Sequence, residues 1–320
     1  MIEMAMMLYA GSLALTLILN ITGVSLGQSR IGKAILKAGD VQPQAQPALN
    51  NASIIAMAIS ETSCILSLTL SIILIFKAQP AAENFWLTSI AQSGIIFALG
   101  LSGFIVSFCS ALPAIAAANA TAQQPFFASK IRNVMLLTMS IIQTPAIFGF
   151  IIMLLISLQS GSITHLNDAL RMFAAALCIG LGAVGPIIGQ GLFAKSACYV
   201  VGINRSAYNR ILSFALLSQT LIETPIIMAL IVALLLLITT ANPSDLKIIA
   251  LIVAALCQSV CNIAPGISSG RTSAAACIQI GKPESDAANI TRTCLLAQGL
   301  IDTFAIYGLL VSILLIFKPM

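Results

Sequence analysis

Three acids and one amide stand at near-constant intervals in apolar stretches of this 320-residue chain: Glu61, Gln143, Glu223 and Asp302. The steps between them are 82, 80 and 79 residues, and each is followed directly by a threonine, Thr62, Thr144, Thr224 and Thr303. A carboxylate is expensive to hold in hydrocarbon, so an acid retained there marks an ion or proton site by default. A unit of about 80 residues is repeated four times, with a carboxylate in three copies and its uncharged isostere in one.

Thirty-three residues before each of these positions stands another polar side chain: Gln28, Ser110, Gln190 and Ser269. In a helical hairpin that offset brings the two positions to about the same membrane depth, so a carboxylate faces an amide or a hydroxyl. Interhelical glue is the plainer reading of such pairs; four at one offset in so apolar a chain favour a site. Pro145 and Pro225 lie two residues beyond Gln143 and Glu223. A proline inside a helix cannot bond the carbonyl four residues back, which releases the oxygens of Ile141 and Leu221. Carboxylate, amide, threonine hydroxyl and free carbonyl form an all-oxygen set suited to a small hard cation. Hairpins one and four lack the proline.

The elements that must position these groups are transmembrane helices. The chain is 59% hydrophobic and 8% charged, against about a quarter charged residues in soluble domains. Apolar stretches of bilayer-spanning length fall near 5–27, 52–76, 86–117, 133–158, 170–200, 211–240, 246–268 and 294–317. The fold class is an all-α membrane protein, its eight helices forming four parallel-repeated hairpins that suit a ring segment. Their bounds are 1–79 with Glu61, 80–161 with Gln143, 162–242 with Glu223 and 243–320 with Asp302. Glu3 and the absence of a basic leader point to a first span retained as structure. The eight cysteines read as buried small hydrophobes, and the lone His165 as a solvated residue of a connection.

Eleven of the fifteen Lys and Arg residues cluster at the loops inside the hairpins. Lys77, Arg171, Lys247 and Lys318 lie at the opposite ends. This bias places the hairpin loops in the cytoplasm and both termini, with the connections near Pro80, His165 and Pro243, on the other side. The first helix of each hairpin is rich in small residues, among them Gly23 and Gly27, Gly100 and Gly103, Gly185 and Gly189, Gly266 and Gly270. Small residues let backbones approach closely in lipid, so these helices form an inner layer and the acid-bearing helices an outer one.

The motifs resemble the membrane rotor (c-ring) subunits of rotary ATP synthases and ATPases. Gly185-Pro186-Ile187-Ile188-Gly189-Gln190-Gly191 is similar to the inner-helix run of sodium-dependent members, and Ala264-Pro265-Gly266-Ile267-Ser268-Ser269-Gly270 repeats it with serine for glutamine. Leu217 to Thr224 resembles the outer-helix acid motif, and Ala241-Asn242-Pro243 the terminal sequence. Ala305-Ile306-Tyr307-Gly308 fits it as well. Gln42-Pro43, Gln124-Pro125 and Lys282-Pro283-Glu284 are similar to the polar loop. The resemblance runs over essentially the whole chain.

It implies a ring of identical chains or paralogues that turns against an a-type stator protein with an essential arginine. The polar loops would grip central-stalk subunits, and lipid would surround the outside. Each acid would carry an ion between two half-channels, its site completed by a hydroxyl and a carbonyl from the neighbouring hairpin. Glu61, Glu223 and Asp302 become the ion carriers, with Gln28, Gln190, Ser269, Thr62, Thr144, Thr224, Thr303, Ile141 and Leu221 in support. Ser110 and Gln143 form a degenerate site. Sodium is favoured over the proton because the oxygens outnumber what a proton needs; the two serines weigh the other way. No phosphate-binding Gly-rich loop with Lys-Ser/Thr occurs, so no catalytic site or cofactor is expected, and no nucleic-acid partner. A standalone cation channel or antiporter, and a structural proteolipid, are the alternatives.

Overall fold

The computed structural model describes residues 2–77, 84–239, 244–283 and 285–318. Pro80, Ala241-Asn242-Pro243 and Glu284, singled out above, lie outside the described residues. Among the described residues, eight helices are long and apolar enough to cross a membrane: α1 (Glu3–Val41), α2 (Pro43–Phe76), α3 (Phe85–Gln123), α4 (Pro125–Gln159), α5 (Leu166–Ile203), α6 (Arg205–Ile238), α7 (Asp245–Ile280) and α8 (Ala287–Phe317). No strand occurs among the described residues.

These helices run well past the apolar stretches. The basic loops expected inside the hairpins shrink to short turns at Gln42, Gln124 and Asn204, and Arg30, Lys33, Lys37, Lys195 and Arg271 all ride on helix. Hydropathy marks only the part of a helix that meets lipid, whereas Ala, Lys, Arg and Gln continue it readily into the aqueous layer. Pro43 and Pro125 stand in the opening 3-10 turns of α2 and α4, where a missing N–H leaves nothing unbonded. Ser244 and Asp286 cap α7 and α8 through Lys247 N and Asn289 N, each at 3.2 Å.

The helices form two layers. Inner helices α1, α3, α5 and α7 pack in that order, and α2, α4, α6 and α8 cover their outer side; among the described residues, extensive contact runs only within hairpins and between successive ones. Burial is greatest in α5 and least in α8, as an open arc with two free edges requires. Glycine sets the inner spacing. A Cβ on Gly27 would come 2.7 Å from the Ser107 carbonyl oxygen, one on Gly189 would strike the Gly266 carbonyl, and one on Gly270 the backbone of Gly189. Backbone-to-backbone contact of this kind is how small residues hold helices together in lipid.

The turns on the loop side are laced sideways. Gln124 Nε2 donates to the Gly202 carbonyl at 2.5 Å, and Asn204 Nδ2 to the Gly281 carbonyl at 2.8 Å. Each amide thus caps the end of the next inner helix.

Candidate functional site

Each outer helix meets the inner helix of its own hairpin at the depth of the repeated acid. The packing of Gly189 sets the level in hairpin three: a Cβ there would lie 3.2 Å from Ile222 Cγ2, which brings Gln190 level with Glu223. α2 and α4 are interrupted by a turn at Glu61 and Gln143, whose N–H groups bond back three residues to Ala58 and Ser140 at 3.3 and 3.2 Å. α6 passes Glu223, and α8 passes Asp302, without a break. Pro145 and Pro225 have no N–H to offer Ile141 and Leu221.

In hairpin one, Gln28 Nε2 donates to Glu61 Oε1 at 2.6 Å and reaches the Met57 carbonyl at 3.4 Å. Glu61 is exposed, because hairpin one forms a free edge of the arc. In hairpin two, Gln143 Nε2 donates to Ser110 Oγ at 3.0 Å, and the Ser110 hydroxyl donates to the Val106 carbonyl at 2.8 Å. Nothing in this pair can be charged.

Hairpin three differs. Gln190 is fully buried, and neither its Nε2 nor its Oε1 has a partner. An amide left in this state costs about 1–3 kcal/mol for each unmet group, and such an exception calls for an explanation. Glu223, half-buried, makes no hydrogen bond to it, and Thr144, on α4 of hairpin two, lies near its carboxylate. A carboxylate, an unpartnered amide oxygen and a hydroxyl from two hairpins therefore converge on one depth.

Comparison with known proteins points the same way. The family model for the ATP synthase C subunit matches residues 173–236 and again 252–315, one hairpin each, and so contains both Gln190–Glu223 and Ser269–Asp302. The K subunit of the A-type ATP synthase of Methanocaldococcus jannaschii is 30% identical over 174 residues, covering 54% of this chain and 73% of the relative. The chain belongs to the ATP synthase C-subunit family. The ATP synthase c subunit of a Synechococcus species is 41% identical over 80 residues, 25% of this chain and 95% of the relative. That of Chloroflexus aurantiacus is 32% identical over 68 residues, 21% and 90%. A relative of one-hairpin length that spans a quarter of the chain is what four concatenated hairpins require.

Within this member of the C-subunit family the fourth site departs from expectation. Ser269 does not bond Asp302; its Oγ takes a hydrogen bond from Gln298 Nε2 at 3.0 Å. Gln298 Oε1 in turn accepts from Ser218 Oγ at 3.3 Å, linking hairpins three and four. Asp302 is 5% exposed, and its buried Oδ1 has no partner. Reach explains the difference. Serine and aspartate each carry a single methylene, too little to bridge two helix axes about 8–10 Å apart, whereas the longer Gln298 spans the gap from one turn away.

Gln298 and Gln219 stand close to the acids in the outer helices, although the fixed offset across the hairpin does not point to them. Both stand four residues before an acid, on its helix face, and both are fully buried. Gln219 Nε2 donates to the Thr138 carbonyl at 3.5 Å. An offset of four within the outer helix finds them; the offset of 33 looks only across the hairpin. The other expected hydroxyls bond within their own helices, Thr224 to the Thr220 carbonyl at 3.4 Å and Thr303 to that of Leu300 at 2.6 Å. Thr62 is half-buried. Among the described residues no cluster of three His, Cys, Asp or Glu side chains could hold a metal, and the sites above are built from single carboxylates.

Proposed function

We propose that this chain is an ion-translocating rotor-ring subunit of a rotary ATP synthase or ATPase, carrying sodium on Glu61, Glu223 and Asp302. The reading rests above all on Gln190, whose buried amide has both atoms unpartnered at the depth of Glu223, the acid that Thr144 approaches. A sodium ion between them would take the Gln190 oxygen, the carboxylate and the hydroxyl, and give the amide the contact it lacks. The Ile141 carbonyl, deprived of an N–H by Pro145, is a further oxygen within the neighbouring hairpin.

Extended around the arc, the same rule supplies each acid from the hairpin before it. Glu61, on the free edge, would then be completed by Thr303 of another copy, and the ring would close through that seam. A stator subunit with an arginine would displace the ion from each carboxylate in turn, and stalk subunits would meet the loop-side turns, which face the cytoplasm. Hairpin two carries nothing, because Gln143 cannot be charged. Three carriers per four hairpins lower the number of ions moved per ATP, which favours pumping against a steep gradient. Nucleotide chemistry belongs to partner subunits.

Labelling of the purified protein by a hydrophobic carbodiimide, which attacks protonated buried carboxyls, tests the reading. Modification of Glu61 and Glu223 that sodium slows between about pH 5 and 9, a window above the ordinary carboxylate range, is expected. Labelling that follows pH alone would transfer the sites to protons, and none at any carboxylate would remove the carrier role. Spontaneous sodium flux through the chain alone in liposomes would favour the channel instead.

A further inference from the structure

Successive hairpins are joined inside the chain by two recurring contacts, and the ends of the arc hold the same positions unused. On the loop side, Gln124 Nε2 donates to the Gly202 carbonyl at 2.5 Å and Asn204 Nδ2 to the Gly281 carbonyl at 2.8 Å. Each donor stands 14 residues past the inner polar position of its hairpin, and each acceptor 12 past that of the next. In hairpin four the donor position is Pro283, preceded by Lys282; in hairpin one the acceptor position is Asp40. Lys282 and Asp40 are exposed, and neither forms an ion pair among the described residues. At the depth of the ion sites, a Cβ on Gly27 would come 2.7 Å from the Ser107 carbonyl oxygen, and one on Gly189 would strike the Gly266 carbonyl. The corresponding positions at the free edges are Ser268 on α7 and Ser25 on α1. Both are small, and both are exposed.

We infer that the joint between two copies of this chain is charge-coded: Lys282 of one copy pairs with Asp40 of the next, in place of the neutral amide-to-carbonyl bond that joins hairpins inside the chain. The inference rests on the ring reading above and names what selects the partner at the seam. Charge complementarity decides the arrangement. A head-to-tail joint brings the cation to the anion, whereas a two-fold joint sets Lys282 beside Lys282 or Asp40 beside Asp40. The lysine side chain, longer than the Asn204 amide, covers the one residue by which it falls short of the donor position. A hairpin with glycine at the acceptor position, as in hairpins three and four, would leave Lys282 without its anion, so the pair favours this chain's own first hairpin. Ser268 and Ser25 let the two inner helices approach as closely as Gly189 and Gly266 do within the chain.

The test uses the full chain, purified in detergent and carrying Ser25→Cys with Ser268→Cys, one thiol on each free edge. Mild oxidation should produce a ladder of disulfide-linked multimers that the unsubstituted chain and either single variant do not give. Asp40→Lys or Lys282→Asp, added to this pair, should slow the ladder about twofold to fivefold, the effect of an exposed ion pair. Both reversals together should restore it, and about 1 M salt should erase the differences. Absence of a ladder would overturn the inference. So would a dimer from Ser25→Cys alone, which marks a two-fold joint, or a ladder indifferent to the reversals. Sodium protection of Glu223 from carbodiimide, whose partners lie within one chain, is read in the same samples. If it persists without a ladder, the seam alone fails; if it is lost beside an intact, charge-dependent ladder, the ion reading alone fails.

Discussion

Thr144 lies near the carboxylate of Glu223, so the hairpin that lacks an acid of its own reaches the acid of the next. A hydroxyl that donates to a charged group contributes about 1.5–3 kcal/mol. Thr144→Val should therefore weaken sodium protection of Glu223 about tenfold or more and leave that of Glu61 unchanged, read as sodium-dependent carbodiimide labelling of each residue. Equal weakening at both sites would mean that Thr144 does not belong to the Glu223 site.

Gln190 separates a structural role from a binding one. Its amide has no partner to lose, so Gln190→Leu removes two buried unmet groups and should leave thermal stability unchanged or raise it by about 1 kcal/mol. The same substitution should abolish sodium protection at Glu223. A large fall in stability would show that the amide holds the hairpin together, and the ion reading of that residue would go.

Asp302 lacks the hydroxyl that the spacing offered it: the two side chains are too short to meet, and Gln298 bonds Ser269 at 3.0 Å instead. Sodium should protect Asp302 from carbodiimide less than it protects Glu61 and Glu223. Gln298→Ala frees Ser269 without shortening the gap to Asp302, so it should not restore protection. Full protection of Asp302 in the wild type would show that the carboxylate gathers its ligands elsewhere.

The features legible in the sequence are those that depend on spacing. A fixed offset across two antiparallel helices is geometry, and it locates two pairs that the structure bonds, Gln28 with Glu61 and Ser110 with Gln143. The glycine-rich inner layer is legible for the same reason. What spacing does not encode is reach. Ser269 and Asp302 share the offset and are too short to use it. Nor does it encode direction: Glu223 could face Gln190 or Thr144 by depth alone, and only packing decides between them. Helix extent is hidden as well, since α1 runs to Val41 through residues that hydropathy treats as loop.

Glycine contacts give a stability test that is independent of ions. Gly189→Ala places a methyl group against the Gly266 carbonyl, and overpacking of this kind costs about 1–3 kcal/mol. Gly11 and Gly299 have nothing within 4 Å of an added Cβ. Gly11→Ala and Gly299→Ala should be neutral or stabilising by about 0.5–1 kcal/mol, the helical preference of alanine over glycine. Thermal unfolding followed by loss of helical signal ranks the three. A harmless Gly189→Ala would mean that the inner layer is looser than the backbone contacts require.

The four basic residues on the far side of the hairpins oppose the charge bias in number but not in role. Lys247 Nζ donates to the carbonyls of Ile316 and Lys318 at 2.5 and 2.7 Å, closing the end of α8. Arg171 Nη1 does so for α6 through Leu236, Leu237 and Thr239 at 2.8–3.0 Å. Lys77 Nζ donates to the Ser157 carbonyl near the end of α4. A cation at a helix C-terminus meets unbonded carbonyls and the negative end of the dipole, so these three are committed to helix ends. Lys77→Gln with Lys247→Gln should cost about 0.3–2 kcal/mol per cap and leave the hairpin loops on the same side of the membrane. Labelling of Ser285→Cys by an impermeant thiol reagent in oriented vesicles reads the side directly. An inverted chain would show that these lysines help to set orientation.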